Sequence, residues 1–507
     1  MNERGLGQTD AGSAAIRIYA CAVVSGLALI CAIVLTIPNL LSISFLFDRN
    51  YNEGWNVYNA QRFLHHVIMY DNNYWRVNNY PIGSFLLITG VSFLVHDLLL
   101  SGRLVALVSF AAIGVLAAIA VRSFGGDRID AIFGAACALG FCYLVAPAWI
   151  MVDDPQTLGE AVTLGGLVSY LSGAPRRPRL VLTALLVVLA GFIKHNLVAI
   201  PLAITFDLAV RTPRRLPFWL LCCAGFSAGF LGLTQIVAGG TFIDHLLSPR
   251  IFTWHGARYH LLKYLRLFKF PLLAMAPLSL AIFSGRRFIL AGWGIVSIGS
   301  AAIFSGFEGT SYNMFQDAAV FLGVAAGVTF CVLRKQILGG SVSRLGFVGL
   351  VSGILMLLLA QPIFARSPSA VGQIYNSGAL LELNRRAEAI FLSEAKYIAG
   401  KGGPAICESL LLCHTAGQPF ILDPFNSRQY ILAGRLDEGQ LIHRIATHEF
   451  AVIQLRADIC DDPATVSCHI LHYPQKFNRF TDDTLYAIDR YYQIGWRSQD
   501  GTFYIPK

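Results

Sequence analysis

The chain has 507 residues, 55% of them hydrophobic and only 14% charged, with a mean hydropathy of +0.57. A soluble protein carries about 25% charged residues, so a purely water-borne globule is excluded, and a bilayer accepts only helices or closed barrels. The net charge of +9 does not point to nucleic acid, because Lys and Arg sit mostly in short loops between apolar runs, with no basic stripe or recognition motif.

The runs are continuously apolar and rich in Leu, Ala and Gly, without barrel alternation, which predicts a polytopic α-helical membrane protein. The first run, Ala14–Ile37, follows a short tail carrying Arg4 and Arg17. It exceeds the ~7–15 residue core of a signal peptide and reads as a retained first span. A polar, aromatic-rich stretch from Asp48 to Pro81 comes next. Ile82–Val95 is apolar but has only 14 residues, short of the ~17 of a minimal span, and reads as an interfacial or re-entrant helix.

Spans are predicted at 14–37, 102–121, 129–149, 156–173, 179–193, 196–210, 216–238, 270–284, 288–304, 313–333 and 344–364, eleven in all. Basic clusters at Arg122/Arg128, Arg176/Arg177/Arg179, Arg211/Arg214/Arg215, Arg286/Arg287 and Arg334/Lys335/Arg344 then occupy every second loop. With the amino terminus inside, all of them lie in the cytoplasm, as the positive-inside rule requires. Counting Ile82–Val95 as a crossing would put every cluster outside; an extra span offset by a miscount within 179–210 is the alternative. The outer side receives Asp48–Val95, Met151–Pro155, Lys194-His195-Asn196, Gly239–Lys269, Ser305–Tyr312 and everything after about Arg366.

Two domains follow: a membrane module over 1–365 and an extracytoplasmic α/β domain over 366–507. In the second, no run could span a bilayer, helical periodicity around Ala379–Ala399 precedes strand-like Phe450–Leu455 and Thr502–Ile505, and ~140 residues suffice for a core. Seven cysteines (Cys21, Cys31, Cys137, Cys142, Cys222, Cys223 and Cys331) lie in or beside spans as small apolar fillers. Cys407, Cys413, Cys460 and Cys468 lie in the outer domain, where disulfides 407–413 and 460–468 are one reading and free buried thiols the other. Gly-rich spans point to close helix packing.

Four outer turns bring polar groups that could converge: Asp48 and Glu53 with the stretch through Tyr80-Pro81; Asp153-Asp154-Pro155; Lys194-His195-Asn196; and Glu308–Gln316 with Tyr312 and Asn313. Each has a plain structural reading. Glu53 could be a solvated loop acid, Asp154 before Pro155 a helix cap, Lys194 a snorkelling span-end lysine and His195 a packed histidine. Arg250, His255, Arg258, His260 and Lys263, interleaved with Trp254 and Tyr259, have the look of an amphipathic interfacial helix.

In order and spacing these pieces resemble the GT-C superfamily of membrane glycosyltransferases, in particular the branch (glycosyltransferase family 39-like) of protein O-mannosyltransferases and the lipid A aminoarabinose transferase. The likeness rests on Asn52-Glu53-Gly54-Trp55-Asn56, Tyr80-Pro81, Gly102-Arg103-Leu104, Asp153-Asp154-Pro155, Gly191-Phe192-Ile193-Lys194 and Ser311-Tyr312-Asn313-Met314-Phe315, and covers roughly residues 15–365. The sequence departs from it in two places: Asn52 stands where many relatives have a second acid beside Glu53, and Asn79-Tyr80 stands where a basic residue often precedes the proline.

The resemblance implies an inner-membrane enzyme that moves a hexosyl or pentosyl unit, with inversion, from a polyprenyl-phosphate-linked donor to a lipid, glycan or protein acceptor. Such chemistry needs a base for the acceptor hydroxyl and cations for the departing phosphate. Glu53 is the expected base, with Asp153 or Asp154 sharing that duty, and Lys194, Arg250, Arg258 and Lys263 are the expected phosphate ligands. Asp48, Trp55, Asn56, Tyr58, Tyr80, His195, Tyr312 and Asn313 are expected to meet sugar or acceptor. No cofactor is required, although Glu53 with Asp153 or Asp154 could hold Mg2+ or Mn2+ through oxygen ligands. A transporter or flippase of a lipid-linked precursor is the alternative; it would place ionisable groups near the midplane, commonly with internal repeats, whereas here the acids cluster at outer span ends.

Overall fold

The structure is a computed structural model that describes residues 6–275, 285–338, 351–355, 377–459 and 479–507. The membrane part is helical throughout. Its helices are α1 (Leu6–Leu41), α2 (Tyr51–Leu64), α3 (Gly83–Val95), α4 (Leu98–Ser123), α5 (Arg128–Val145), α6 (Pro155–Leu171) and α7 (Arg177–Gly191). There follow α8 (Ala199–Arg211), α9 (Leu216–Ala238), α10 (Phe242–Leu246), α11 (Trp254–Leu267), α12 (Lys269–Met275), α13 (Phe288–Phe304) and α14 (Gln316–Leu338). Their starts are written in the local sequence: Asn50, Asp97, Asp154 and Thr253 each accept a backbone N–H from the first turn they precede, and Asp127 and Asp130 form a capping box.

Helix α5 is the centre of the bundle, packed against α1, α4 and α14. Glycine permits the closest of these approaches, as the Gly-rich spans suggested: a Cβ on Gly323 of α14 would lie 2.4 Å from the backbone of Ala138 in α5. Within Tyr312–Gln336 nearly all of the most apolar 18-residue window is accordingly buried inside the protein, whereas almost none of that in Pro213–Ala238 is, so it turns its apolar surface outward.

Among the described residues five helices are long and apolar enough to cross a bilayer: Ile16–Leu41, Leu98–Ser123, Arg128–Val145, Pro213–Ala238 and Tyr312–Gln336. This corrects the expected eleven. The runs at 156–173, 179–193, 196–210 and 288–304 become helices of 17, 15, 13 and 17 residues. At 1.5 Å per residue such helices fall short of a ~30 Å hydrocarbon core. Asp154-Pro155 and the Lys194-His195-Asn196 turn cut the apolar runs before they reach full length. The run at 344–364 and most of 270–284 lie outside the described residues. The doubtful stretch 82–95 is the 13-residue α3, stopped at His96 in a left-handed conformation (φ 59°).

The C-terminal domain is α/β. Its elements are α15 (Ser377–Ala399), β1 (Ala405–Cys407), α16 (Leu410–Thr415), α17 (Pro424–Leu432), α18 (Glu438–Ala446), β2 (Val452–Leu455), α19 (Asp482–Tyr491), β3 (Tyr492–Arg497) and β4 (Thr502–Pro506). The sheet order is β1-β2-β4-β3, with β1 and β2 parallel and β4 antiparallel to both its neighbours. Ile406, Ile453, Leu455, Leu485, Ile488 and Tyr504 make its core. Cys407 and Cys413 form the expected disulfide; Cys460 and Cys468 lie outside the described residues.

This domain is bolted to the membrane part at several points. Helix α16 lies so close to α2 that a Cβ on Gly54 would stand 2.1 Å from the Leu411 nitrogen. Glu388 accepts from the Leu46 N–H at 2.7 Å, and the Asp423 N–H donates to the Trp75 carbonyl at 2.7 Å. Glu308 takes Arg428 at 2.8 Å and Gln429 at 2.7 Å.

Candidate active site

Glu53 stands in the first turn of α2, fully buried, and its carboxylate is gripped at both oxygens by Arg103 of α4 at 2.6 and 2.8 Å. The Arg49 N–H donates to it at 2.8 Å and the Asp153 N–H at 3.4 Å. Arg103 also donates to the carbonyls of Ile43, Phe45 and Phe47 at 3.1, 2.6 and 2.7 Å, so the pair staples the first loop onto α4. Both oxygens of Glu53 are thus committed to charge-assisted hydrogen bonds.

Asp153 sits beside it, packed against Gly102, and its Oδ2 has no hydrogen-bond partner among the described residues. Burial, and then the charges of Glu53 and Asp154, push its carboxyl well above the usual range. Asp154 both caps and reaches outward. Its Oδ1 accepts the Gln156 N–H at 2.9 Å, while Oδ2 accepts Asn52 Nδ2 at 2.8 Å and faces the Tyr80 hydroxyl at 3.5 Å and Lys194 Nζ at 3.8 Å.

In front of Asn52, Tyr80 and Lys194 opens a cavity of about 670 Å3, and among the described residues none in its wall is acidic. The three acids therefore do meet, but behind the wall. Five cations line it: Arg49, Lys194 and Arg250 from the membrane part, Arg456 and Arg479 from the C-terminal domain. Lys194 Nζ lies 3.6 Å from the Tyr80 ring centroid. A cation from the α7–α8 turn thus stands beside Tyr80-Pro81, where the sequence lacks the basic residue of its look-alikes. Burial lowers the Lys194 ammonium to about 8 against the opposing pull of Asp154. His195, also in the wall, is pushed by burial to about 3 and is neutral. Arg250 donates to the Glu308 carbonyl at 3.0 Å and to Asn426 Oδ1 at 3.3 Å, with the Phe425 ring 5.1 Å away.

Of the expected sugar ligands, Trp55, Tyr80, His195 and Asn313 line this cavity. The others do not. Asn56 is buried with Nδ2 on the Asp153 carbonyl at 2.6 Å, and Tyr58 packs on Phe420 at 4.7 Å with its hydroxyl on the Gln418 carbonyl. Asp48 pairs with Arg456 and Ser409 at the seam between the two parts. Arg258 is exposed on α11, whose basic, aromatic outer face is the expected amphipathic one. Lys263 lies 4.1 Å from the Tyr312 ring, and both line an adjoining cavity of about 580 Å3. Neither Arg258 nor Lys263 lines the first cavity.

Sequence reading missed Arg49, Tyr51 and Asn52 as wall residues, and Arg456 and Arg479 altogether. Tyr51 and Asn52 had a signal, flanking the named first-loop motif; the two arginines have none, being brought in by the tertiary fold. A cation bridged by Glu53 with Asp153 or Asp154 does not fit the residues present, since Arg103 occupies Glu53 and Asn52 and Gln156 occupy Asp154. Among the described residues no three His, Cys, Asp or Glu side chains converge as a metal site.

No protein family and no curated protein matches the chain in sequence. Solved structures do match. Apo ArnT from Cupriavidus metallidurans superposes with TM-score 0.57 at 13% identity, over 97% of this chain and 98% of that one. ArnT bound to undecaprenyl phosphate gives 0.53 at 13% identity over the same shares. The Archaeoglobus fulgidus oligosaccharyltransferase tethered to an acceptor peptide gives 0.51 at 13%, over 96% of this chain and 74% of that one. At such low identity and nearly full coverage, what the chain shares with them is the fold.

Proposed function

We propose that this chain is a multi-pass membrane glycosyltransferase that moves a sugar from a polyprenyl-phosphate-linked donor to an acceptor on the non-cytoplasmic side. One observation carries the reading: a cavity of about 670 Å3 whose wall, among the described residues, holds five cations and no carboxylate, set among the ends of apolar helices. That is a site for an anion attached to something apolar. The two ArnT structures and the archaeal enzyme support it by fold, one of them being bound to undecaprenyl phosphate.

Lys194 and Arg250 hold the phosphate and stabilise the negative charge that grows on it as the glycosidic bond breaks. A phosphate leaves without protonation, so no strong acid is needed there. Asn196 and Asn313 line the same wall with side-chain carbonyls that have no hydrogen-bond partner among the described residues, and these accept from sugar hydroxyls. Asp154 is the base: its Oδ2 lies just behind the wall, and the Tyr80 hydroxyl passes it the acceptor's proton as the acceptor oxygen attacks the anomeric carbon with inversion. With the amino terminus in the cytoplasm, the C-terminal domain and the cavity face outward.

The test is mass spectrometry of lipids and glycans from cells lacking the protein. A lipid-linked sugar should accumulate and an acceptor should lack one residue; wild-type protein should reverse both and Asp154→Asn neither. Unchanged lipid and glycan profiles would remove the reading.

A further inference from the structure

We infer that the C-terminal domain builds a second anion subsite in the same cavity, on Arg479 with Arg456 beside it, and that this subsite takes a phosphate or carboxylate carried by the acceptor. The inference rests on the glycosyltransferase reading and names the class of its acceptor.

The five wall cations are not one cluster. Lys194 and Arg250 belong to membrane-part turns and lie near enough for the charge of Arg250 to oppose protonation of Lys194. Arg456 follows β2 and Arg479 precedes α19, and these two likewise oppose one another. Tyr51 stands within electrostatic reach of both Arg250 and Arg479, its hydroxyl fixed to Asp423 Oδ1 at 2.8 Å. The Arg479 guanidinium lies over that ring, 3.5 Å from its centroid. The tyrosine therefore carries Arg479 on its ring and lies within reach of Arg250 as well.

The second pair is held rigidly from behind. Glu408, 1% exposed at the end of β1, accepts the Arg456 N–H at 2.8 Å and lies 3.9 Å from Arg479 Nε. The adjacent disulfide ties Cys407 to Cys413. Arg456 is further fixed by Asp48. Arg479 differs from it: its side chain is 17% exposed, and among the described residues its one ion pair is the long one to Glu408. A guanidinium offers five N–H donors in a planar fork. An oxyanion in the cavity would meet them, two at a time.

The donor phosphate does not need this pair. A polyprenyl-phosphate sugar is a phosphodiester with a single negative charge, which Lys194 and Arg250 already answer. What remains is the part of the wall that the C-terminal domain contributes, where an acceptor would approach. An acidic glycan or phosphorylated lipid meets the fork of Arg479 there; an uncharged acceptor would not. A second phosphate on the donor would present the same oxyanion chemistry, so the experiment separates the two.

The full-length protein, purified in detergent, is titrated with undecaprenyl phosphate, with undecaprenyl diphosphate, and with inorganic phosphate after saturation by undecaprenyl phosphate. Wild type should bind the monophosphate lipid and then inorganic phosphate. Arg479→Gln should weaken the second event by about tenfold or more and leave the first within about twofold, whereas Lys194→Gln should weaken the first by about tenfold. Arg479→Lys, which keeps the charge but not the fork, should fall between, and all variants are first matched to wild type by thermal melting. Equal loss of monophosphate-lipid binding in Arg479→Gln and Lys194→Gln would overturn the inference by making one subsite of two. So would a diphosphate lipid that binds about tenfold tighter than the monophosphate and loses that gain in Arg479→Gln, because the subsite would then belong to the donor. Phosphate binding absent from the saturated wild type would also overturn it. Failure of wild type to bind either lipid would instead remove the donor assignment on which it stands.

Discussion

Replacing Glu53 by Gln separates a structural acid from a catalytic one. Glu53 and Arg103 are 0% and 1% exposed, and the pair is bidentate. Removing one partner of a buried pair costs about 3–5 kcal/mol, because the other charge is left uncompensated. Arg103 keeps three carbonyl acceptors, on Ile43, Phe45 and Phe47, which places the cost toward the lower end, at about 3 kcal/mol. The glutamine amide would also turn donors toward donors, since Arg49 N–H and Arg103 both point at that carboxylate. The expected result is a lower melting temperature and reduced yield of folded protein in detergent, with whatever folds still binding undecaprenyl phosphate normally. The double variant Glu53→Leu/Arg103→Leu should melt higher than Glu53→Gln, because it removes both charges together. An E53Q protein that melts like wild type yet transfers no sugar would refute the reasoning and restore Glu53 as the base.

Asp154→Asn keeps a good helix cap, so it should melt within about 1 kcal/mol of wild type while its turnover falls by about 10^2 to 10^4-fold with donor KM unchanged, as steady-state transfer assays would reveal. Lys194, lowered to about 8, is charged below that value and neutral above it. Affinity for undecaprenyl phosphate should therefore hold at neutral pH and fall as pH rises through about 8, and Lys194→Arg should flatten that decline in a titration series. Gly54→Ala drives a methyl into the Leu411 backbone 2.1 Å away and should loosen the C-terminal domain, read as faster proteolytic release, whereas Gly90→Ala, with nothing within 4 Å, should not.

The legible parts of this molecule were those set by neighbours in the chain. Asp154 before Pro155 announced a cap, the short polar turn at Lys194 announced a helix end, and the close spacing of Cys407 and Cys413 offered their bond as one of two readings. Arg103 was visible within Gly102-Arg103-Leu104, but its partner lies 50 residues away and only packing brings them together. Arg456 and Arg479 had no local mark at all; they reach the cavity because the sheet and α19 carry them there. The span count overshot for a related reason. Apolar runs mark where helices form, but the turns at Asp154 and Lys194 decide how long they are.

The order of strands in the C-terminal sheet ties the cavity wall to a distant stretch of chain. β4, residues Thr502–Pro506, pairs internally, between β2 and β3. Arg456 directly follows β2, so the arm that carries it leans on a strand from beyond α19. A change that weakens β4 would thus be felt at the cavity through β2, although β4 itself does not line it.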